Sequence, residues 1–336
     1  MRGLVVAADG AFQFAPVTGY GWTSFASAVA AGRLLRLDAV AMRHAFGLAA
    51  AATPLPTSGR FGLDLPRPMT KYGLYGQIAH GGVMAALLAH RGYTADTTVL
   101  DGERGLWRMS GSIDWDWAAL TDRIGSHWLI EEVLYKRYAA CRFLNPAIDL
   151  FHGIVADEGL APADIDRVEA LVPGAALAKN MDDPKVGSMV DGCFSLPYLL
   201  AVAALAGPAG PRWHAAQTRL DPAVARFAAR VVVTLESRAA RAAAEDLARY
   251  GHSVRMCTTV TVHAGGRSIT RSTDYAAGDA FTTETRATDA DVDDKVRAFA
   301  TEAIGADQVA RALDLGHHIE ELADVEGFVA SLIAPR

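Results

Sequence analysis

Apolar and small residues recur at helical spacing over residues 23–52, where Val40, Ala41, Ala45 and Leu48 share one face, and the pattern breaks at Arg36-Leu37-Asp38. This predicts two Ala-rich core helices, with Asp38 capping the second. A turn-rich stretch over residues 54–68 leads to Met69-Thr70-Lys71 and to a helix over about 76–90 that stops at Gly92. Beyond residue 131 the pattern changes. Residues 131–138 read as extended, 146–156 as helix, 168–172 as strand, 195–207 and 222–229 as helices, and 231–235 as strand. Residues 254–262 and 268–272 form a hairpin around Ala264-Gly265-Gly266. Helix returns in the last sixty residues, with Thr288 as N-cap, Val292, Val296, Phe299 and Ala300 on one face, and an amphipathic stretch over 313–333. These elements predict a mainly α fold plus an α+β part. Residues 1–130 and 276–336 form a helical domain, and 131–275 form an inserted α+β domain.

Composition narrows the class. The 336 residues carry 32 Lys+Arg against 38 Asp+Glu, a net charge of −6, and are 51% hydrophobic. Disorder and disulfide scaffolds are excluded, and no basic stripe marks a nucleic-acid partner. Neither a signal peptide nor a membrane segment is read near the start, where the apolar run is short and Arg33 and Arg36 interrupt the Ala-rich stretch. Three cysteines, Cys141, Cys193 and Cys257, lie far apart with no CxxC pair, which suits a reducing cytoplasm and argues against structural zinc. Phosphate-binding, dinucleotide, HExxH and GxSxG templates are absent. His317-His318 sits in a polar segment and reads as surface.

Only five of the basic residues are lysine: Lys71, Lys136, Lys179, Lys185 and Lys295. With so much alanine and arginine, the chain reads as the product of a GC-rich bacterial genome. A lysine that persists in such a background marks a place where a compact ammonium is wanted. Lys71 and Lys136 each stand beside a change of structure. Taken alone, both read as snorkelling side chains. Cys141 reads as a small buried hydrophobe and not as a nucleophile.

Longer motifs add to this. Met69-Thr70-Lys71-Tyr72-Gly73 with the following Gln77-Ile78-Ala79-His80-Gly81-Gly82, Lys136-Arg137-Tyr138-Ala139-Ala140-Cys141, Phe194-Ser195-Leu196-Pro197-Tyr198, Leu220-Asp221-Pro222 and Asp294-Lys295-Val296-Arg297 occur in this order. Together they resemble the MmgE/PrpD family, which includes 2-methylcitrate dehydratase, cis-aconitate decarboxylase and iminodisuccinate epimerase. The resemblance implies a helical domain made by both chain ends with an inserted lid and a cleft between them. It also implies cofactor-independent lyase or isomerase chemistry on small di- and tricarboxylic acids. By position it makes Lys71, Lys136 and Tyr198 the catalytic candidates, with Tyr20, Thr23, Thr70, Tyr72, Arg137 and Asn145 in substrate binding. No metal and no organic cofactor is implied. Removing a proton next to a carboxylate creates negative charge, which ammonium groups in a dry cleft stabilise.

The sequence also departs from the family's pattern. Family members carry a longer N-terminal helical part with an Asp and a His as acid/base pair, and this sequence begins beyond them. Gly21, Leu74 and Asn145 stand where His is usual. Three readings follow: an enzyme of altered specificity, acting on an intermediate with fewer carboxylates; half of a split enzyme whose partner supplies the Asp and His; or a non-catalytic binding or scaffold homologue. The first is preferred, because Lys71, Lys136, Arg137 and Tyr198 have little reason to persist in a structural remnant. An apolar face left open by the short helical part predicts a homodimer or a stable hetero-complex.

Overall fold

Glycine and alanine at helix contacts organise the first part of the chain. The computed structural model describes residues 4–6, 12–14, 19–53, 65–73, 75–109, 117–178, 180–250 and 252–334. Two compact units divide it, Met1–His127 and Trp128–Arg336, a division within a few residues of the change in pattern at 131.

The first unit opens on a short antiparallel pair, β1 (Leu4–Val6) with β2 (Phe12–Phe14), too short to leave a periodic signal. α1 (Thr23–Leu34) and α2 (Ala39–Ala51) follow where the periodicity puts them. Asp38 starts α2 by accepting the Ala41 amide at 2.8 Å, and Arg36, at φ +56°, turns the chain between the two helices. The single turn α3 (Thr70–Gly73) precedes α4 (Tyr75–His90), which ends at Gly92 with φ +83°; α5 (Leu106–Met109) and α6 (Trp117–Thr121) complete the unit.

α4 packs on α1 at backbone distance. A Cβ built on Gly82 would sit 2.1 Å from the Ser24 carbonyl oxygen. No side chain fits there without moving a helix. The Ser24 hydroxyl, buried in the same contact, donates to the Gly21 carbonyl at 2.9 Å and shares a 2.6 Å hydrogen bond with Thr53. Gly82→Ala is therefore expected to lower stability by about 1–3 kcal/mol, read as a fall in thermal midpoint. An unchanged midpoint would mean that the two helices are not in backbone contact.

The second unit is built on a four-stranded sheet. α7 (Asn145–Glu158) leads into β3 (Ile165–Val172), and α8 (Gly174–Leu177), α9 (Met189–Gly192), α10 (Leu196–Leu205), α11 (Ala216–Arg219) and α12 (Pro222–Ala228) form the crossover to β4 (Val231–Leu235). β4 runs parallel beside β3, as a long crossover requires. After α13 (Ser237–Tyr250) the hairpin β5 (Thr258–Ala264) and β6 (Arg267–Thr273) closes the order β4-β3-β5-β6. Its turn residues Gly265 and Gly266 have φ +56° and +75°, the left-handed pair that a two-residue hairpin needs. Ile148, Phe151 and Ile154 of α7 are fully buried with Val168 and Val172 of β3, Val260 of β5 and Leu199 of α10. The chain ends in α14 (Asp289–Ile304), α15 (Ala306–His317) and α16 (Glu326–Ser331). Thr288 and Asp291 form a reciprocal cap on α14.

Three segments differ from the periodicity. Residues 131–138 are not a strand: a 3₁₀ turn over Leu129–Glu132 is followed by irregular chain, whose amides find single acceptors instead of a ladder. The Tyr135 amide donates to the Gly278 carbonyl and the Tyr138 amide to the Asn145 side chain. The hairpin starts at Thr258 and not at 254, because the Val254 and Arg255 amides are taken by the Asp246 carboxylate at 2.8 and 2.7 Å. α13 goes unannounced because three of its buried positions, Ala239, Ala242 and Ala243, are alanines among other alanines and the fourth is the carboxylate Asp246.

Candidate active site

The irregular chain before α7 carries Lys136, and four anchors hold it. Cys141 N–H donates to the Cys193 carbonyl at 2.8 Å, and Tyr135 N–H to Gly278 at 2.9 Å. Asn145 is buried at the start of α7; its amide donates to the Cys141 carbonyl at 3.0 Å and accepts the Tyr138 amide at 3.3 Å. Lys295, from α14, donates its ammonium to the Lys136 carbonyl. Gly278 has φ +97°, and a Cβ there would lie 2.0 Å from the Tyr135 carbonyl oxygen, so only glycine allows this approach.

A cavity of about 560 Å³ opens beside the loop, lined among others by Lys136, Arg137, His152, Arg286 and Lys295. The cations are positioned without being neutralised. Lys136 donates to the Ala140 carbonyl at 3.2 Å and Arg286 to the Ala280 carbonyl at 3.1 Å, while Arg137 approaches the Asp149 carboxylate only to 3.9 Å. Among the described residues, Lys136, Arg286 and Lys295 hydrogen-bond to backbone carbonyls and to no carboxylate. Burial, with Lys136 nearby, pulls the Lys295 ammonium below its ordinary pKa. Of the acidic groups on the wall, Asp291 is committed to the cap of α14 and Asp294 faces Arg297 at 3.3 Å.

His152 projects from α7 into the same cavity and stacks in a trio with Tyr138 and Trp213, centroids 5.7–6.0 Å apart. Burial first, and Arg137 second, lower its pKa. Asp149 beside it accepts the Tyr138 hydroxyl at 2.9 Å and the Ala277 amide at 3.0 Å, and burial raises its pKa. A second histidine, His214, has Nδ1 3.9 Å from Cys193 Sγ and is likewise depressed by burial. Burial pushes the Cys193 thiol up to about 11 and the Tyr198 phenol up to about 12.

The sequence-derived candidates thus fall into separate places. Lys136 and Arg137 line the cavity. Tyr198 does not line it: it is buried in the core of the second unit, and its hydroxyl donates to the Trp213 carbonyl. Asn145 braces the loop from behind. Lys71 is buried in α3 of the first unit beside exposed Thr70, and Thr23 is exposed at the start of α1. The backbones of Tyr20 and Tyr72 lie in a 3₁₀ turn and in α3; their side chains lie outside the described residues. Sequence reading passed over His152 and His214, which carry no local motif. It also gave Lys295 no role, although the scarcity of lysine was a signal for it.

Two domain models of one family match this chain: the MmgE/PrpD N-terminal domain over residues 13–117 and the MmgE/PrpD C-terminal domain over residues 138–321. The chain belongs to the MmgE/PrpD family. That family includes dehydratases and related lyases, and the helices and four-stranded mixed sheet of this chain are consistent with its fold. No curated protein matches the chain. In this MmgE/PrpD protein no helix among the described residues is long and apolar enough to cross a membrane. Nor do three His, Cys, Asp or Glu side chains gather there into a metal-binding group.

The two depressed histidines give a pH prediction. Each binds its proton less readily in the folded chain than at the ordinary value of 6.5. The unfolded chain therefore holds more protons below pH 6.5, and stability is lost as pH falls from there toward the folded values. The thermal midpoint is expected to drop between pH 7 and pH 5, and to drop less in His152→Phe, which keeps a ring in the stack. Equal slopes in the two proteins would remove His152 from this account.

Proposed function

We propose that this chain is a cofactor-independent lyase of the dehydratase type, or an isomerase, that removes a proton next to the carboxylate or carbonyl of a small organic acid or related biosynthetic intermediate. The observation that carries this reading is the grouping of Lys136, Lys295 and Arg286 on one cavity with carbonyl partners only. Like charges held together on carbonyl partners leave an attractive field, reduced by Glu284, Asp291 and Asp294 on the same wall, that one anion completes.

In this reading Lys136 and Arg286, with Arg137 beside them, bind the substrate carboxylate and stabilise the charge that grows there as the neighbouring C–H bond breaks. His152, neutral and on the same wall, takes that proton. In the dehydratase form the C–O bond then breaks, and the leaving hydroxyl departs as water with a proton from the Lys295 ammonium, whose lowered pKa eases the transfer. Asn145 and Tyr198 act as positioning residues behind the loop.

Proton NMR in D₂O with a panel of hydroxy and unsaturated carboxylic acids tests the reading. Solvent deuterium appearing at the carbon next to the carboxylate, or elimination product, is the expected result; no exchange across the panel would sink it. A homodimer is proposed as the working state in a reducing cytoplasm. Exposed Val83, Met84, Leu87 and Leu88 on α4 support the dimer, and a monomer by sedimentation would count against it.

A further inference from the structure

The apolar stripe of α14 is spent on the cavity. None of the 16 residues of this helix is buried, although Val292, Val296, Phe299 and Ala300 read as a packing face. Val292, Lys295 and Phe299, at helical spacing i, i+3 and i+7, line the cavity with Ala298, so its α14 wall sets one cation among apolar groups, with Asp291 and Asp294 also on it. Pro208, Ala209, Ala277 and Ala287 continue the apolar surface, and the Tyr138–His152 stack adds aromatic faces. Burying such surface is favourable only if something apolar covers it.

Size points the same way. At about 560 Å³ the cavity lies within the range of roughly 300–1,000 Å³ that encloses ligands larger than a four- to six-carbon acid. A small tricarboxylate would satisfy the cations and leave the Val292 and Phe299 wall facing water.

We infer that the site takes a carboxylic acid with one anionic head and an apolar, ring-sized body, the head at Lys136 and Arg286 and the body against Val292, Phe299 and the small residues opposite. This rests on the reading above that the cavity binds substrate, and it restricts the substrate class. A single anionic head suits the charge count of the wall. Arg137 already faces Asp149, and Asp291, Asp294 and Glu284 close by would repel further carboxylates.

Calorimetric titration of the full chain with four probes decides this: 3-hydroxy-3-phenylpropanoate, its primary amide, 3-hydroxybutanoate and citrate. The phenyl acid is expected to bind about tenfold or more tightly than each of the others. Ala298→Trp, which fills the α14 wall without changing a charge, is expected to weaken it by about tenfold. Citrate binding as tightly as the phenyl acid, equal binding of 3-hydroxybutanoate, equal binding of the amide, or binding of none would each overturn the inference, whatever the variant does. The same probes in D₂O separate the two readings. A phenyl acid that binds without exchanging its proton keeps the ligand class and removes the lyase; exchange on citrate alone does the reverse.

Discussion

Replacing Lys136 by methionine is expected to lower the rate of substrate deuterium exchange by about 10²–10³-fold, while costing only about 1 kcal/mol of stability. The two effects separate because of what the ammonium touches. Its one hydrogen bond, to the Ala140 carbonyl at 3.2 Å, is local to its own loop. The loop keeps its other anchors, Tyr135 to Gly278 and Cys141 to Cys193, without it. The charge at the cavity is what the substitution removes. Lys295 should titrate closer to its ordinary value in Lys136→Met, since Lys136 is one of the two causes that depress it. Lys136→Arg is expected to recover binding better than turnover, because a guanidinium keeps the charge but places it differently. Full exchange activity in Lys136→Met would remove the residue from catalysis and with it the proposed reading of the cavity.

Arg142→Met should be the most destabilising single change in the second unit. Arg142 donates to the Asp279 carboxylate at 2.9 Å, and Asp279 is 1% exposed. Its remaining partner among these contacts is the Ala276 amide at 3.0 Å. Removing the guanidinium leaves a buried carboxylate with one hydrogen bond, at a cost of about 3–5 kcal/mol. The lower half is expected here, because Arg142 Nε is itself buried without a partner and the pair is not ideally satisfied. For a unit of this size that is a fall in thermal midpoint of roughly 6–16 °C. Asp279 follows Gly278, whose carbonyl holds Tyr135, so exchange activity should fall along with stability. Arg142→Met combined with Asp279→Asn should recover part of the loss, since no charge is then left unpaired. A double variant no better than the single one would show that packing of the Arg142 stem, and not the charge, is what matters.

Local chemistry was legible in the residues. Asp38 at an N-cap, Gly92 after a helix, Gly265-Gly266 between alternating strands and Thr288 before Asp291 each act within a turn of chain, so α1, α2, α4, β4 and the hairpin end close to where the pattern puts them. The ordered motifs around Lys71, Lys136 and Tyr198 were enough for the family. The same reading took residues 131–138 as extended, but the local pattern does not reveal that Tyr135 pairs with Gly278, far along the chain.

What the tertiary structure decided is which candidates share a cavity and in what state of charge. Lys295 reaches the Lys136 carbonyl across 159 positions, and His152 joins them from α7. Tyr198 shares the motif context of Lys136, yet its hydroxyl is used inside the core. Burial and the electrostatic field are sums over neighbours brought together by folding, whereas caps, turns and periodicity are properties of adjacent residues. The sequence by itself therefore determined most of the elements and the family, and the packing of α14 against the loop before α7 determined which cations share the cavity.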